Sequence, residues 1–473
     1  MDSILETVRA RWGFDALRPL QRQAIEASLA GRDALVVLPT GGGKSLCYQV
    51  PALLRGGLTV VVSPLIALMR DQVVSLSGRG IPASLLNSSL GRDARRRVEA
   101  SVVRGDARIL YVSPERFGDA AFRRLLGASD VRAFAVDEAH CISHWGPDFR
   151  SAYGRLALLR RDYPGRPIHA FTATATPRVR EDIVRRLALR RPVELVGDFF
   201  RPNLRLRVAP RIDALSQALA VVRRHPGEAG LVYRIRRADV DGFAALLRRE
   251  GVDAVAYHAG MDEVERSRAQ DAWMSGAARV VVATVAFGMG IDRRDARFVV
   301  HAAMPQSLEH YQQETGRAGR DGAPAECALF WSAEDADVWR ALIRAQRSPR
   351  AEAKERMVED ALRFCESAEC RHRALVEHFG QAWTGGPCGA CDVCAGSAAE
   401  PGGGRFDRAL YEVLKTVRLA IADEEGIPAS AVASESALRR LAAARPAGAG
   451  DVGRGIRISW RTRLMRAIAE HDA

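Results

Sequence analysis

At 473 residues the chain is too long for one hydrophobic core, so two or three globular domains with small appendages are expected. Its 70 basic and 57 acidic residues leave a net charge of +13, which suits a polyanionic partner, although only three of the basic residues (Lys44, Lys354, Lys415) are lysines and part of the arginine content is compositional. No run approaches the ~18 apolar residues that a bilayer span needs and "MDSILETVRARWGF" lacks the features of a leader, so a membrane protein is excluded and a soluble cytoplasmic one is expected.

Residues 1–200 alternate short β-rich runs with amphipathic helical stretches. "ALVVLP", "TVVVSP", "RILYVSP", "AFAVDEAH" and "IHAFTATAT" are each apolar and end in a polar cluster, the pattern of a parallel sheet that binds ligands at the carboxyl ends of its strands. The first of these runs leads into "PTGGGKS". Three glycines free the backbone to curl its N–H groups around an anion, Lys44 neutralises the β/γ-phosphates and Ser45 holds Mg²⁺. The strict pattern G-x-x-x-x-G-K-[ST] asks for glycine where Leu38 stands, which keeps a purely structural glycine turn as the competing reading. In "AVDEAH", Asp137 can reach the Mg²⁺ ligand shell and Glu138 can orient or deprotonate the attacking water. Just beyond, "HCISHWGPDFRSAY" supplies Trp145, Phe149 and Tyr153 with Arg150 between them, a composition that can stack on bases and hold phosphate; packing in the core is the alternative.

Residues 201–340 repeat the alternation with "AGLVYRI", "DAVAYHAG", "RVVVATVAFGMG" and "FVVHAAMP" but bring no second glycine-lysine loop, so two α/β domains share one nucleotide site. "QETGRAGRDG" places Arg317 and Arg320 three apart, able to reach a γ-phosphate across a cleft as arginine fingers. Of eight cysteines, Cys370, Cys388, Cys391 and Cys394 form C-x17-C-x2-C-x2-C, which fits a tetrahedral structural Zn²⁺ site in a helical module over 341–396; Cys365, His372 and His378 nearby are read as packing or solvent-facing residues. A glycine-rich linker follows at 397–404, and 405–473 reads as short helices.

The ordered set "FDALRPLQRQAI", "PTGGGKS", "VVSPLIALMRDQV", "YVSPERF", "DEAHCISHWGPDFR", "TATAT", "ATVAFGMGID" and "QETGRAGRDG" resembles the RecQ family of superfamily 2 DNA helicases from about residue 12 to 395. The resemblance implies an α/β fold of two tandem RecA-like motor domains, a zinc module after the second, and an HRDC-like all-α C-terminal domain. It implies a monomeric motor that hydrolyses ATP with Mg²⁺ while stepping 3′ to 5′ along single-stranded DNA and unwinding duplexes in repair and recombination. Its partners would be single-stranded and forked DNA, single-strand DNA-binding protein and other repair proteins, in a nucleoid-associated location. It assigns Arg18 and Gln21 to adenine recognition and Thr40, Gly41, Gly42, Gly43, Lys44, Ser45, Asp137, Glu138, Arg317 and Arg320 to nucleotide chemistry. Trp145, Phe149 and Arg150 would couple DNA binding to hydrolysis, with Pro147 standing where the family commonly has histidine. Many relatives carry a winged-helix domain between zinc module and HRDC; here the short glycine segment stands there, so weak unwinding is expected. A translocase or annealing factor, an RNA-directed helicase and a binding protein with a silent ATPase are the alternatives.

Overall fold

The computed structural model describes residues 2–87, 90–285, 287, 293–395, 407–425, 432–433, 438, 441–442 and 458–471. The linker expected at 397–404 and part of "ATVAFGMGID" lie outside the described residues. The first domain is built on β1 (Ala34–Val37), β2 (Leu58–Val62), β3 (Ala83–Leu86), β4 (Ile109–Val112), β5 (Val131–Val136), β6 (Ile168–Thr172) and β7 (Val193–Val196). They form one sheet in the order β3-β4-β2-β5-β6-β1-β7, and each paired neighbour runs parallel. The second is built on β8 (Leu204–Pro210), β9 (Ala229–Tyr233), β10 (Ala254–Tyr257), β11 (Val280–Ala283), β12 (Ala296–His301) and β13 (Ala325–Trp331), ordered β10-β11-β9-β12-β13-β8 and again parallel.

Helices cover both faces of each sheet, so inner strands such as β1, β2 and β4 are buried along their whole length and carry Val, Leu and Ile on both sides. The parallel arrangement brings the ends of β1, β2, β4, β5 and β6 to one edge, where Leu38, Ser63, Ser113, Asp137 and Ala173 begin the loops.

The module after the second sheet is a wedge between the domains. Its helix Arg371–His378 sends Leu375 into the core of the second domain, while Val376 and the following Phe379 enter the core of the first. Phe379 stacks on Phe199 at 4.4 Å, and the Gln381 amide both accepts from the Phe199 N–H (3.0 Å) and donates to the Gly197 carbonyl (3.1 Å). The helix Ala333–Ala345 runs across 340/341, where the sequence placed the boundary between the second domain and this module. The C-terminal helices Arg408–Glu425 and Ile458–His471 pair through Leu410, Leu414, Ile421, Trp460 and Leu464.

Candidate nucleotide cleft and nucleic-acid interface

The phosphate loop leaves β1 with Leu38 still in sheet register, its N–H donating to the Thr172 carbonyl (3.1 Å). A leucine therefore replaces the glycine of the strict pattern at a position where the backbone is still extended and the side chain is buried. The glycines are required beyond it. Gly41 and Gly43 have φ of +76° and +75°, a Cβ on Gly42 would stand 2.8 Å from the Pro39 carbonyl oxygen, and one on Gly43 would stand 2.2 Å from the Gln21 amide nitrogen. Gln21 donates to the Gly42 and Gly43 carbonyls (3.1 and 3.3 Å) and accepts from the Arg18 N–H, and Arg18 itself donates to the Gly41 carbonyl (2.6 Å). Both residues expected at adenine thus hold the shape of the loop here. Ser45 precedes the helix Leu46–Arg55 without forming a side-chain cap.

Lys44 is half-buried and donates to the Leu38 carbonyl (3.1 Å); desolvation lowers its pKa against the opposing charges of Glu138 and Asp137. Asp137 continues β5, its N–H donating to the Val62 carbonyl (2.8 Å). Burial pushes its carboxyl up to about 7, with the charge of Glu138 adding to the shift and Lys44 opposing it. Glu138 sits in the left-handed region at φ +46°, a strain of ~1–3 kcal/mol that a non-glycine residue sustains where the fold requires it. Its Oε2 atom is buried without a hydrogen bond, 3.3 Å from His140 Nδ1. A carboxylate oxygen without a hydrogen bond beside a lysine, a second carboxylate and a glycine cradle is the donor set that a magnesium nucleotide requires.

The second domain closes this cleft. The aliphatic stem of Arg320 lies 3.2 Å from where a Cβ on Gly41 would be, and Gly316 packs within 3.5 Å of Thr40 by the same measure. Arg317 is buried, and its charge and that of Arg320 both act on the buried Tyr233 hydroxyl. Of the two arginines, Arg320 lies on the phosphate loop, and its charge also acts on Lys44. Gln313 donates to Thr174 Oγ1 (2.9 Å) and so ties the same segment to "TATAT".

The aromatic stretch beyond Glu138 is also divided. Tyr153 is fully buried and donates to the Asp137 carbonyl (2.8 Å), which corrects its reading as a base-stacking residue: it supports the carboxylate from below. Arg150 donates to the Pro64 carbonyl (3.0 Å), linking this stretch to the loop after β2. Trp145 and Phe149 are half-buried and each has a guanidinium on its ring, Arg178 at 3.1 Å and Arg350 at 5.0 Å from the centroids. Arg350 also donates to the His144 (2.8 Å) and Gly146 carbonyls. Sequence reasoning missed Arg178, Arg350 and His310; the N-cap serine three residues ahead of His310 is a legible local signal, whereas nothing near Arg350 points to a loop two hundred residues earlier.

The Sγ atoms of Cys370, Cys388, Cys391 and Cys394 all lie within 4.8 Å of one another, which suits one tetrahedral ion. His372 is buried with Nδ1 3.3 Å from Cys388 Sγ and its ring edge-on to Phe200, while His378 pairs with Glu309 (3.1 Å) and Cys365 lies in the core. His372 thus supports a cysteine rather than facing solvent. The module joins the second sheet: Leu206 of β8 donates to the Ala390 carbonyl and its own carbonyl accepts from Asp392 (both 2.9 Å), capping the sheet edge.

Among the described residues no helix is long and apolar enough to cross a membrane. Residues 18–183 match the DEAD/DEAH box helicase family, 210–322 the helicase conserved C-terminal domain, 333–395 the RecQ zinc-binding family and 407–456 the HRDC domain. The chain is 42% identical over 391 residues to an ATP-dependent DNA helicase RecQ of Haemophilus influenzae, covering 82% of this chain and 63% of that one. It is 42% identical over 391 residues to the protein of the same name from Pasteurella multocida, covering 82% and 62%. The chain thus spans less than two thirds of the length of these relatives. In fold it is similar to the Mycobacterium smegmatis helicase Lhr bound to single-stranded DNA and AMP-PNP, with TM-score 0.57, 18% identity and coverage of 93% and 73%. Four matched modules in this order, at this identity to named relatives, place the chain in the RecQ family.

Proposed function

We propose that the protein is an ATP-dependent, 3′-to-5′ DNA translocase and helicase. The observation that carries this reading is Arg320 packed on Gly41: a residue of the second domain lies on the phosphate loop of the first, so hydrolysis and relative movement of the domains are one event. The backbone N–H groups of Gly41, Gly42 and Gly43 with Lys44 would hold the β/γ-phosphates. Ser45 and Asp137 would hold Mg²⁺, which supplies charge neutralisation, and Thr40 lines the loop. Glu138 orients and deprotonates the attacking water, and Arg317 and Arg320 stabilise charge on the transferred phosphoryl group. Arg18 and Gln21 would contact adenine from the positions in which they grip the loop. The four cysteines would hold Zn²⁺, whose binding energy fastens the wedge between the domains.

DNA would lie across the loops at the carboxyl ends of the strands, with Trp145 and Phe149 meeting bases and Arg150 transmitting their movement to the loop after β2. The relatives' name, together with the pairing of an aromatic stretch and a four-cysteine module, favours DNA over RNA. The matched zinc and HRDC segments leave only residues 396–406 between them, and the motor acts as a monomer needing a 3′ single-stranded tail. Single-strand DNA-binding protein and other repair proteins in the cytoplasm and nucleoid are the partners this reading calls for. The test compares ATP turnover with and without single-stranded DNA, and strand displacement on forked, 3′-tailed, 5′-tailed and RNA duplexes. DNA-stimulated turnover with unwinding of forked and 3′-tailed DNA is expected; turnover indifferent to DNA, or preference for the RNA duplex, overturns it.

A further inference from the structure

We propose that the groove between the helices Arg92–Arg104 and Ala120–Gly127 is a second track for the phosphate backbone of the bound DNA strand, lateral to the loops at the strand ends. This rests on the DNA-motor reading above and adds a site to it. The groove is open, about 490 Å³ in volume, and lined by Arg92, Arg95, Arg96 and Glu99 from one helix and Arg124 and Leu125 from the other.

Its charge is uncompensated. Arg95 is neutralised by Glu99 (2.8 Å) and Asp119 (3.5 Å), but Arg92, Arg96 and Arg124 are exposed and form no ion pair among the described residues. A high arginine content alone does not account for this. Elsewhere many surface arginines are matched, as Arg22 is by Asp2 and Glu26, Arg344 by Glu355 and Arg373 by Glu377. Arg92 and Arg96 are four apart and share one helix face, and Arg124 approaches from the facing helix, so three unpaired guanidiniums converge on one trough. Planar forks of this kind bind phosphate oxygens in pairs of hydrogen bonds.

The groove is continuous with the proposed DNA face. Its two helices follow β3 and β4, and Asp119 joins its wall to the loop, accepting from Arg95 on the groove side and pairing with Arg116 of the Pro114–Gly118 turn at 3.2 Å. A strand crossing that loop would therefore meet Arg92, Arg96 and Arg124 on leaving it. An acidic peptide is the competing occupant, but nothing in the groove besides Leu125 and small alanines offers it an anchoring pocket.

The experiment replaces all three exposed arginines (Arg92→Gln, Arg96→Gln, Arg124→Gln) and measures binding of labelled oligothymidylates of increasing length against salt by fluorescence anisotropy, with ATP turnover alongside. Each single-strand phosphate contact contributes about 0.7 to the slope of log affinity against log salt, so the variant should lose about 2 from the slope of the long oligomers. The shortest oligomer that stimulates ATP turnover should bind and stimulate both proteins alike. Equal slopes at every length in the two proteins would overturn the proposal while leaving the motor reading intact. A polyglutamate peptide that binds the wild type and not the variant, with DNA slopes unchanged, would overturn it in favour of a protein partner. Wild-type turnover that no oligothymidylate stimulates would overturn the motor reading and this one with it.

Discussion

His310 Nε2, in the second domain, stands 3.5 Å from Asp148 Oδ1 in the aromatic stretch of the first, and Asp148 Oδ2 stands 3.7 Å from His140 Nε2. Since His140 Nδ1 is 3.3 Å from Glu138 Oε2, a line of ionisable groups joins Glu138, the aromatic stretch and the segment that carries Arg320. His310 is aimed by its own helix: Ser307 caps Leu308–Thr315 by accepting the His310 N–H (3.2 Å) and also contacts the ring at Nδ1 (3.3 Å). His310→Ala should therefore reduce DNA-stimulated turnover by roughly 2- to 30-fold, the range of a 0.5–2 kcal/mol coupling, with DNA-free turnover and DNA affinity little changed. ATPase titrations with oligothymidylate measure all three.

The same contact has a pH signature. Burial works to lower the pKa of His310, but the close Asp148 carboxylate (3.5 Å) outweighs it, with Glu314 and Glu309 adding, and the ring is held above its ordinary value. Its contribution to stability is thus complete below about pH 6.5 and is lost as pH rises through the folded value. Asp148 is held well below the usual carboxylate range, where His310 and His140 overcome the opposing effect of burial, so its contribution persists down to acid pH. Thermal melts between about pH 6 and 9 should show a decline in wild type that is shallower in His310→Asn.

Lys44→Ala and Glu138→Gln should each lower ATP turnover at least about 100-fold while leaving the melting temperature within a few degrees. Glu138→Gln keeps the side-chain volume and removes only the basic oxygen, so nucleotide binding should survive in that variant. Near-normal turnover in either would show that the cleft assignment is wrong.

Arg350→Ala removes the donor to the His144 and Gly146 carbonyls and uncovers Phe149. Leaving those acceptors unmatched should cost about 1–3 kcal/mol of stability. Half-maximal activation should then require more DNA, and Arg350→Lys should not restore it, because one ammonium cannot reproduce the planar fork. Chemical denaturation and the DNA concentration for half-maximal turnover report the two effects separately.

Cys391→Ser should yield zinc-poor, poorly soluble protein. The residue is 3% exposed, pairs with Leu206 at the sheet edge and lies beside Asp392, which Arg371 holds through Nε (3.1 Å) and a second nitrogen (3.0 Å). Loss of the metal would loosen the helix that wedges both domains, so DNA-stimulated turnover should fall even though no zinc ligand touches the nucleotide site. Removing residues 405–473 should preserve that turnover. Zinc content and ATPase of the two variants make the comparison.

Periodicity and spacing carried the sheets, the phosphate loop, Asp137, Glu138 and the cysteine cluster, because each depends on residues close together in the chain: a strand on its alternation and burial, a loop on its glycines, a metal site on ligand spacing. The edge strands β3 and β7 went unread because they are only partly buried and so lack a continuous apolar run, and the inner strand β13 went unread as well although it is mostly buried. What the docking of the domains decided left no local mark. That Arg320 reaches Gly41, that Tyr153 lies beneath Asp137, and that Arg350 and His310 hold the aromatic stretch are contacts between segments far apart in sequence. Such contacts are set by how rigid cores pack against one another, and a side chain's own neighbours in the chain do not encode which surface will face it.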